Sequence, residues 1–344
     1  MECYAGILWT PDGPIEGYVG VSGGIIVERG EGRPPSEPVA TGFIAPGVVN
    51  CHTHLGDAGF DPGGKHTLEG LVAPPDGLKH WYLSTVDPGV QAARMAAYWA
   101  DMQESGFSAA VDFREGGAEG CETLKKTVPG AIALGRPRSS DFDGEEVSRL
   151  LDVADGIGLS GLGDVPYPYA ETLSDECRRR GKAFALHLSE AVREDVEAAL
   201  SLEPDFVVHM SSATKGDIAR CADAGVPIVV CPRSNAYFGL EPPVADMLSE
   251  GAHVALGTDN AMLSDGSLRG EVSALAALLA KQGRDPSESL AVAFEGWKKI
   301  LYDKRKIGGR IGDKADFTVF PSGKGTLPLD AMRGKDRIRI RGTG

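Results

Sequence analysis

Two histidines spaced two apart, His52 and His54, end the apolar run VVNCHTH. Side chains at i and i+2 of a strand lie on one face, so the pair could share a metal ion, cap a core, or stand there by chance. Three other residues bear on the choice: His187 in AFALHLS, His209 in FVVHMSS and Asp259 in HVALGTD. Like the pair, each lies toward the C-terminal end of an apolar, strand-like run, in a chain of 344 residues with only seven histidines. Any one could be an ordinary core or loop residue; five together point to a common site. Four imidazoles and a carboxylate that converge can hold a divalent ion, and an ion so held activates water for attack near neutral pH. His253 starts its run instead of ending it. His66 and His80 fall in the long segment after the first of these runs and read as loop residues, although either could touch a substrate.

The elements that would position these residues alternate. Eight apolar runs read as strands: FIAPGVVNCHTH, FSAAVDF, AIALG, DGIGLSG, AFALHLS, FVVHMSS, PIVVCPRS and HVALGTD. Most are continuously apolar, as parallel strands covered on both faces are. Between them lie helix signals. Asp87-Pro88 supplies a cap and a first-turn proline, with Gly106 as the stop; Asp285-Pro286 opens SESLAVAFEGWKKILY; SDECRRRG and GDIARCADAG end in glycine. This pattern predicts an α/β fold, a (β/α)8 TIM barrel over residues 48–306, whose active sites lie at the C-terminal ends of the strands. A doubly wound sheet is the alternative, but no GxGxxG follows the first strand. Residues 1–47 and 307–344 read as short strands between turns and are expected to combine in one small β-sandwich domain, with RIRIR an edge strand whose arginines face water.

Composition narrows the partners. Apolar residues make up 42% and the formal net charge is −14, which disfavours phosphate backbones and anionic lipid, so neither nucleic acid nor membrane is expected. No run approaches the roughly 18 apolar residues of a membrane span, and MECYAGILWTPDG has no signal-peptide pattern. Six dispersed cysteines without a CxxC pair suggest reduced thiols in a cytoplasm. Cys51 and Cys231 flank the proposed site and read as small apolar filler.

The ordered set GFIAPGVVNCHTHL, HLSE, VVHMSS, VVCPRSNAYFGL, VALGTDN and IGDKADFTVF resembles the amidohydrolase superfamily across nearly the whole chain. More narrowly, it is similar to the branch holding cytosine, adenosine-type and guanine-type deaminases and triazine chlorohydrolases. The resemblance implies that His52, His54, His187 and Asp259 bind one metal ion, and that Asp259 also takes a proton from the attacking water. It places His209 beside the developing oxyanion, makes Glu190 the proton shuttle, and has Ser234 and Asn235 shape the site. Two-metal members carry a bridging lysine near the fourth strand; GIGLSGLGDVPYPY at 156–169 has none, which favours one ion per chain, zinc or iron. Members of the family are often homodimers or larger.

The expected activity is therefore hydrolytic deamination of a small aminated heterocycle. Opening of a cyclic amide or displacement of another leaving group is the alternative, and a non-catalytic scaffold the remote one. The chain is shorter than many members, with trimmed segments around the third and fourth strands. The segment 59–87, containing Lys65, Lys79, His80 and Trp81, reads either as a lid over the barrel mouth or as a loop packed on itself. As a lid, its His80 and Trp81 would contact the substrate.

Overall fold

The computed structural model describes residues 1–300 and 309–342. The expected domain boundary at 306/307 lies outside these residues, as do Leu301 and Tyr302 at the end of one expected helix.

The chain begins with β1 (Glu2–Thr10), β2 (Gly13–Ser22), β3 (Ile25–Glu31) and β4 (Ala40–Pro46), and then passes at Gly47 into β5 (Val48–His54). The run FIAPGVVNCHTH, read above as one strand, is thus two strands in different sheets. There follow β6 (Phe107–Arg114), β7 (Ala131–Gly135), β8 (Gly156–Leu159), β9 (Ala183–Leu188), β10 (Phe206–His209), β11 (Ile228–Val230), β12 (Val254–Leu256) and β13 (Asp259–Asn260). These nine make one curled parallel sheet in the order β12-β11-β10-β9-β8-β7-β6-β5-β13. Its two end strands, β12 and β13, are consecutive pieces of chain separated by Gly257 and Thr258. The fold is therefore TIM-like, with a hydrogen-bond ladder interrupted at its eighth strand.

Asn50 bridges the interruption. Its Nδ2 donates to Thr258 Oγ1 at 2.8 Å, and its Oδ1 accepts from Thr258 N at 3.1 Å and from His52 N at 3.3 Å. Gly257 is required there by close approach: a Cβ would lie 2.9 Å from His52 Cβ and 3.0 Å from Cys231 Sγ.

Alternation along the strands builds two cores. On β9, Phe184, Leu186 and Leu188 pack outward under the helices, while Ala185 joins the interior cluster with Val111, Phe113, Phe206, Val208 and Val229. Helices lie between the strands. The helix Pro88–Ser105 starts on the expected cap, with Asp87 accepting from Gly89 N and Val90 N, and stops at Gly106 with φ 125°. The helix Tyr167–Arg180 stops at Gly181, φ 63°. The helix expected from Asp285-Pro286 begins later, at Glu288, because Asp285 Oδ1 closes a turn on Ser287 N instead.

The second sheet adds β14 (Asp316–Pro321) and β15 (Ile338–Arg341) in the order β15-β14-β4-β1-β2-β3. It is one six-stranded sheet with a single parallel pair, β1 with β4, and not the expected sandwich. One sheet suffices because Phe43, Ala45 and Phe320 pack into the barrel's outer core, while Tyr4, Leu8, Val19, Ile44 and Val319 form a cluster of their own. Two further expectations are corrected. The C-terminal piece includes a helix, Pro328–Arg333, whose Leu329, Ala331 and Met332 enter the outer core. Within RIRIR, Arg339 does not face water: its side chain is 3% exposed, is paired with Asp316, and donates to Gln103 O at 3.1 Å and Ser108 Oγ at 3.1 Å. Among the described residues no helix is long and apolar enough to cross a membrane, and all six cysteines are free and buried.

Segment 59–87 carries two short helices. It contains α1 (Leu68–Val72) and α2 (Leu78–Thr85) and leads into the helix Pro88–Ser105, here α3.

Candidate metal centre

Each histidine of the cluster is delivered by a strand end. His52 and His54 come from β5, His187 from β9 and His209 from the last position of β10. On β10, Phe206 and Val208 face inward, so simple alternation would turn His209 outward. A left-handed backbone, φ 78° at His209 and 55° at Met210, breaks the alternation there; Asp259, φ 61°, uses the same device after the break in the eighth strand.

The side chains converge. His187 Nε2 lies 3.2 Å from His52 Nε2 and 3.4 Å from His54 Nε2; Asp259 Oδ1 lies 3.3 Å from His52 Nε2 and 3.6 Å from His54 Nε2. All four ligand-type atoms fall within 4.8 Å of one another, and all four residues are buried. His54 Nδ1 faces the Phe113 carbonyl at 3.1 Å and His187 Nδ1 the Leu159 carbonyl at 2.9 Å. Carbonyls only accept, so both Nδ1 atoms carry the proton and both Nε2 lone pairs point at each other. Such an arrangement calls for a cation between them. Metal–nitrogen bonds of about 2.05 Å in tetrahedral geometry set nitrogens about 3.3 Å apart, which is the spacing found. The donor set thus fits one divalent ion, with three neutral imidazoles and one carboxylate.

For His52, His187 and Asp259 the electrostatics agree. Burial lowers the pKa of His52 to about 3 against the pull of Asp259, lowers His209 to about 4, and lowers His187 well below its usual value with help from the neighbouring imidazoles. His54 is raised: burial and Lys79 oppose its charge, but Glu115 and Asp259 outweigh them. Burial also works against the Asp259 carboxylate, yet His52, His209 and His54 hold it well below the carboxylate range. Ser234 Oγ donates to its Oδ2 at 2.5 Å and Asn260 Nδ2 to its Oδ1 at 2.9 Å. The ring of Phe113 meets His52 and His187 edge-on, with centroids 4.6 and 5.0 Å away.

Above the cluster lies a cavity of about 110 Å³ lined by His54, His187, Glu190, His209, Asp259 and Asn260 on one side and by Leu68, Val72, Ala73, Pro74, Lys79 and His80 on the other. Glu190 Oε1 is 3.5 Å from His209 Nε2. Burial first, and the Asp259 charge second, push its pKa well above the usual carboxyl value. Asn235 Nδ2 donates to His209 Nδ1 at 3.1 Å, so the ring proton sits on Nε2, facing Glu190.

Of the residues singled out in the sequence, the structure brings together His52, His54, His187, His209, Asp259, Glu190, Ser234 and Asn235. His80 lines the cavity, with its Nε2 at 3.1 Å from the Val72 carbonyl. Trp81 does not: it is 63% exposed. Two residues apart on a helix is about 200°, so a turn that buries Lys79 must expose Trp81. Cys51 and Cys231 are fully buried with thiol pKa values pushed upward by burial, consistent with filler. Missed from the sequence were Lys79 as a buried cavity group, Glu115, Asn260 and Asn50. Glu115 directly follows β6 and obeys the same strand-end rule as the histidines, so its position could have betrayed it.

The match to the amidohydrolase family covers residues 43–331. A protein of Archaeoglobus fulgidus named "Putative aminohydrolase" is 38% identical over 283 residues, 82% of this chain and 81% of its own. The fold is shared with an adenosine deaminase from Xanthomonas campestris with bound zinc, at a TM-score of 0.76 and 18% identity, covering 96% of this chain and 88% of that one. It is also shared with 5-methylcytosine deaminase from Klebsiella pneumoniae liganded with 5-fluorocytosine, at a TM-score of 0.75 and 15% identity, covering 99% and 96%. With this match added to the His/Asp cluster, the chain belongs to the amidohydrolase family and is a metal-dependent hydrolase acting on carbon–nitrogen bonds.

Proposed function

We propose that the protein is an aminohydrolase that converts a small aminated heterocycle and water into the oxo compound and ammonia. Glu190 carries this reading. Deamination needs an acid that protonates a ring nitrogen as water adds and then delivers a proton to the departing amine. A carboxyl whose pKa burial and Asp259 raise well above the ordinary value, beside His209 and in the same cavity as the ligand cluster, suits that task.

The other residues have complementary roles. Held at His52, His54, His187 and Asp259, one divalent ion, zinc or iron, supplies Lewis acidity and activates water near neutral pH. Asp259, ionised and fixed by Ser234, takes the proton of the attacking water. His209, whose Nε2–H is set by Asn235, donates to the oxygen that gains charge at the attacked carbon. Leu68, Val72, Ala73 and Pro74 offer an apolar wall to a flat ring, and His80 beside them lies within reach of its edge. The adenosine and 5-methylcytosine deaminases that share the fold support this substrate class.

The test is ammonia release from a panel of amino-pyrimidines, amino-purines, pterins and triazines by zinc- or iron-loaded protein, with Glu190→Gln in parallel. Ammonia from the wild type that is lost in the variant supports the proposal. Hydrolysis of cyclic amides in the absence of any ammonia release would replace it.

A further inference from the structure

Glu115 and Lys79 have no part in the reaction described above, yet they are buried against it. Glu115 Oε1 lies 3.3 Å from His54 Nδ1 and 2.6 Å from Lys79 Nζ. Lys79, the second residue of α2, is 3% exposed and lines the cavity together with Glu115. Two buried charges need each other, but a fold does not need the pair; apolar side chains of the same volume would pack there without the desolvation cost.

What the pair touches is informative. Among the described residues, His187 Nδ1 faces only a backbone carbonyl and His52 Nδ1 has no partner. His54 alone presents its outer nitrogen to a carboxylate as well as to a carbonyl. A carboxylate on the outer nitrogen of a ligating imidazole fixes its tautomer and ring orientation and strengthens the inner nitrogen as a donor to metal.

We propose that Glu115 is a positioning residue for His54 and that Lys79 acts through Glu115, so that α2, a wall of the substrate cavity, is tied to the metal centre by one ion pair. The inference rests on reading His52, His54, His187 and Asp259 as a metal site.

The experiment compares full-length wild type, Glu115→Gln, Lys79→Met, the double variant and, as a surface control, Glu119→Gln. Each is loaded with zinc alone and measured for zinc retention against a chelator and by nitrogen NMR of isotope-labelled histidine. Glu115→Gln is expected to shift the ring signals of His54 and leave those of His187 in place, and to weaken zinc retention about 10–100-fold. Lys79→Met should weaken it in the same direction, and the double variant should be no worse than Glu115→Gln. If Glu115→Gln does not fold, the double variant, which removes both buried charges, gives the same reading. Unmoved His54 signals with retention within about twofold of wild type would overturn the proposal, leaving the Phe113 carbonyl as the orienting group. Additive losses would overturn the role given to Lys79. A wild type that holds no zinc or iron would instead refute the metal-site reading itself.

Discussion

Replacing Asn50 by alanine should cost both stability and metal affinity, because this side chain ties β5, which carries His52, to Thr258, where the eighth strand breaks just before Asp259. The substitution removes the bond to Thr258 Oγ1 at 2.8 Å and those from Thr258 N at 3.1 Å and His52 N at 3.3 Å. At about 1 kcal/mol each, with some return from collapse and some cost for the void, the loss is about 2–4 kcal/mol. For 344 residues the unfolding entropy is about 0.7 kcal/mol/K, so the Tm should fall by about 3–6 °C. Saturating zinc at about 1,000 times its Kd should raise the wild-type Tm by about 6 °C. If Asn50 also fixes the distance between His52 and Asp259, a tenfold loss of affinity shrinks that rise by about 2 °C. Melting curves with and without zinc measure both quantities. A Tm within about 1 °C of wild type would refute the bridging argument; a lower Tm with an undiminished zinc-induced rise would confine Asn50 to holding the sheet together.

Ser234→Ala removes the short bond to Asp259 and should lower kcat or zinc affinity about 10–100-fold with little change in the melting temperature of the metal-free protein. Because burial and Asp259 raise the pKa of Glu190 well above the ordinary carboxyl value, its proton persists to higher pH than a free carboxyl's; ammonia release should therefore show a decline on the alkaline side as that proton is lost. A profile flat to high pH would contradict that role. Glu271, fully buried, has its pKa pushed up to about 8 by burial, with Arg233 opposing. The unfolded chain ionises this group near its ordinary value while the folded chain resists, so stability declines as pH rises from the unfolded pKa to about 8 and then levels. Glu271→Gln should remove that decline, with a Tm advantage over wild type of about 3–6 °C at pH 9 and none at pH 4.

The barrel was legible because most of its strands are continuous apolar runs, and the site because imidazoles are rare and stood at the ends of those runs. Glu115 was not, since a glutamate before Gly-Gly looks like any solvated loop charge, and its worth depends on Lys79, 36 positions earlier and carried on a helix that the Gly- and Pro-rich segment hid. Asn50 looked like part of an apolar strand; its use appears only where the eighth strand breaks. The single-sheet form of the small unit was hidden for another reason. Alternation says that one face of a strand is apolar, but not whether a second sheet or the barrel covers it, and Phe43 and Phe320 chose the barrel. Arg339 followed suit, with Asp316 waiting inside.

β4 takes its partners from both ends of the chain: β1 on one side, and on the other β14, paired from Pro46–Phe317 to Gly42–Pro321. During synthesis β1 and β4 leave the ribosome early, while β14 follows some 270 residues later, roughly 15–55 s at ordinary translation rates. For that interval one edge of β4 has unsatisfied amides and carbonyls, open to strands of other nascent chains. Chains cut short before β14 would keep that edge open for good, so the C-terminal strands cover β4 and leave the short, arginine-bearing β15 as the edge in its place.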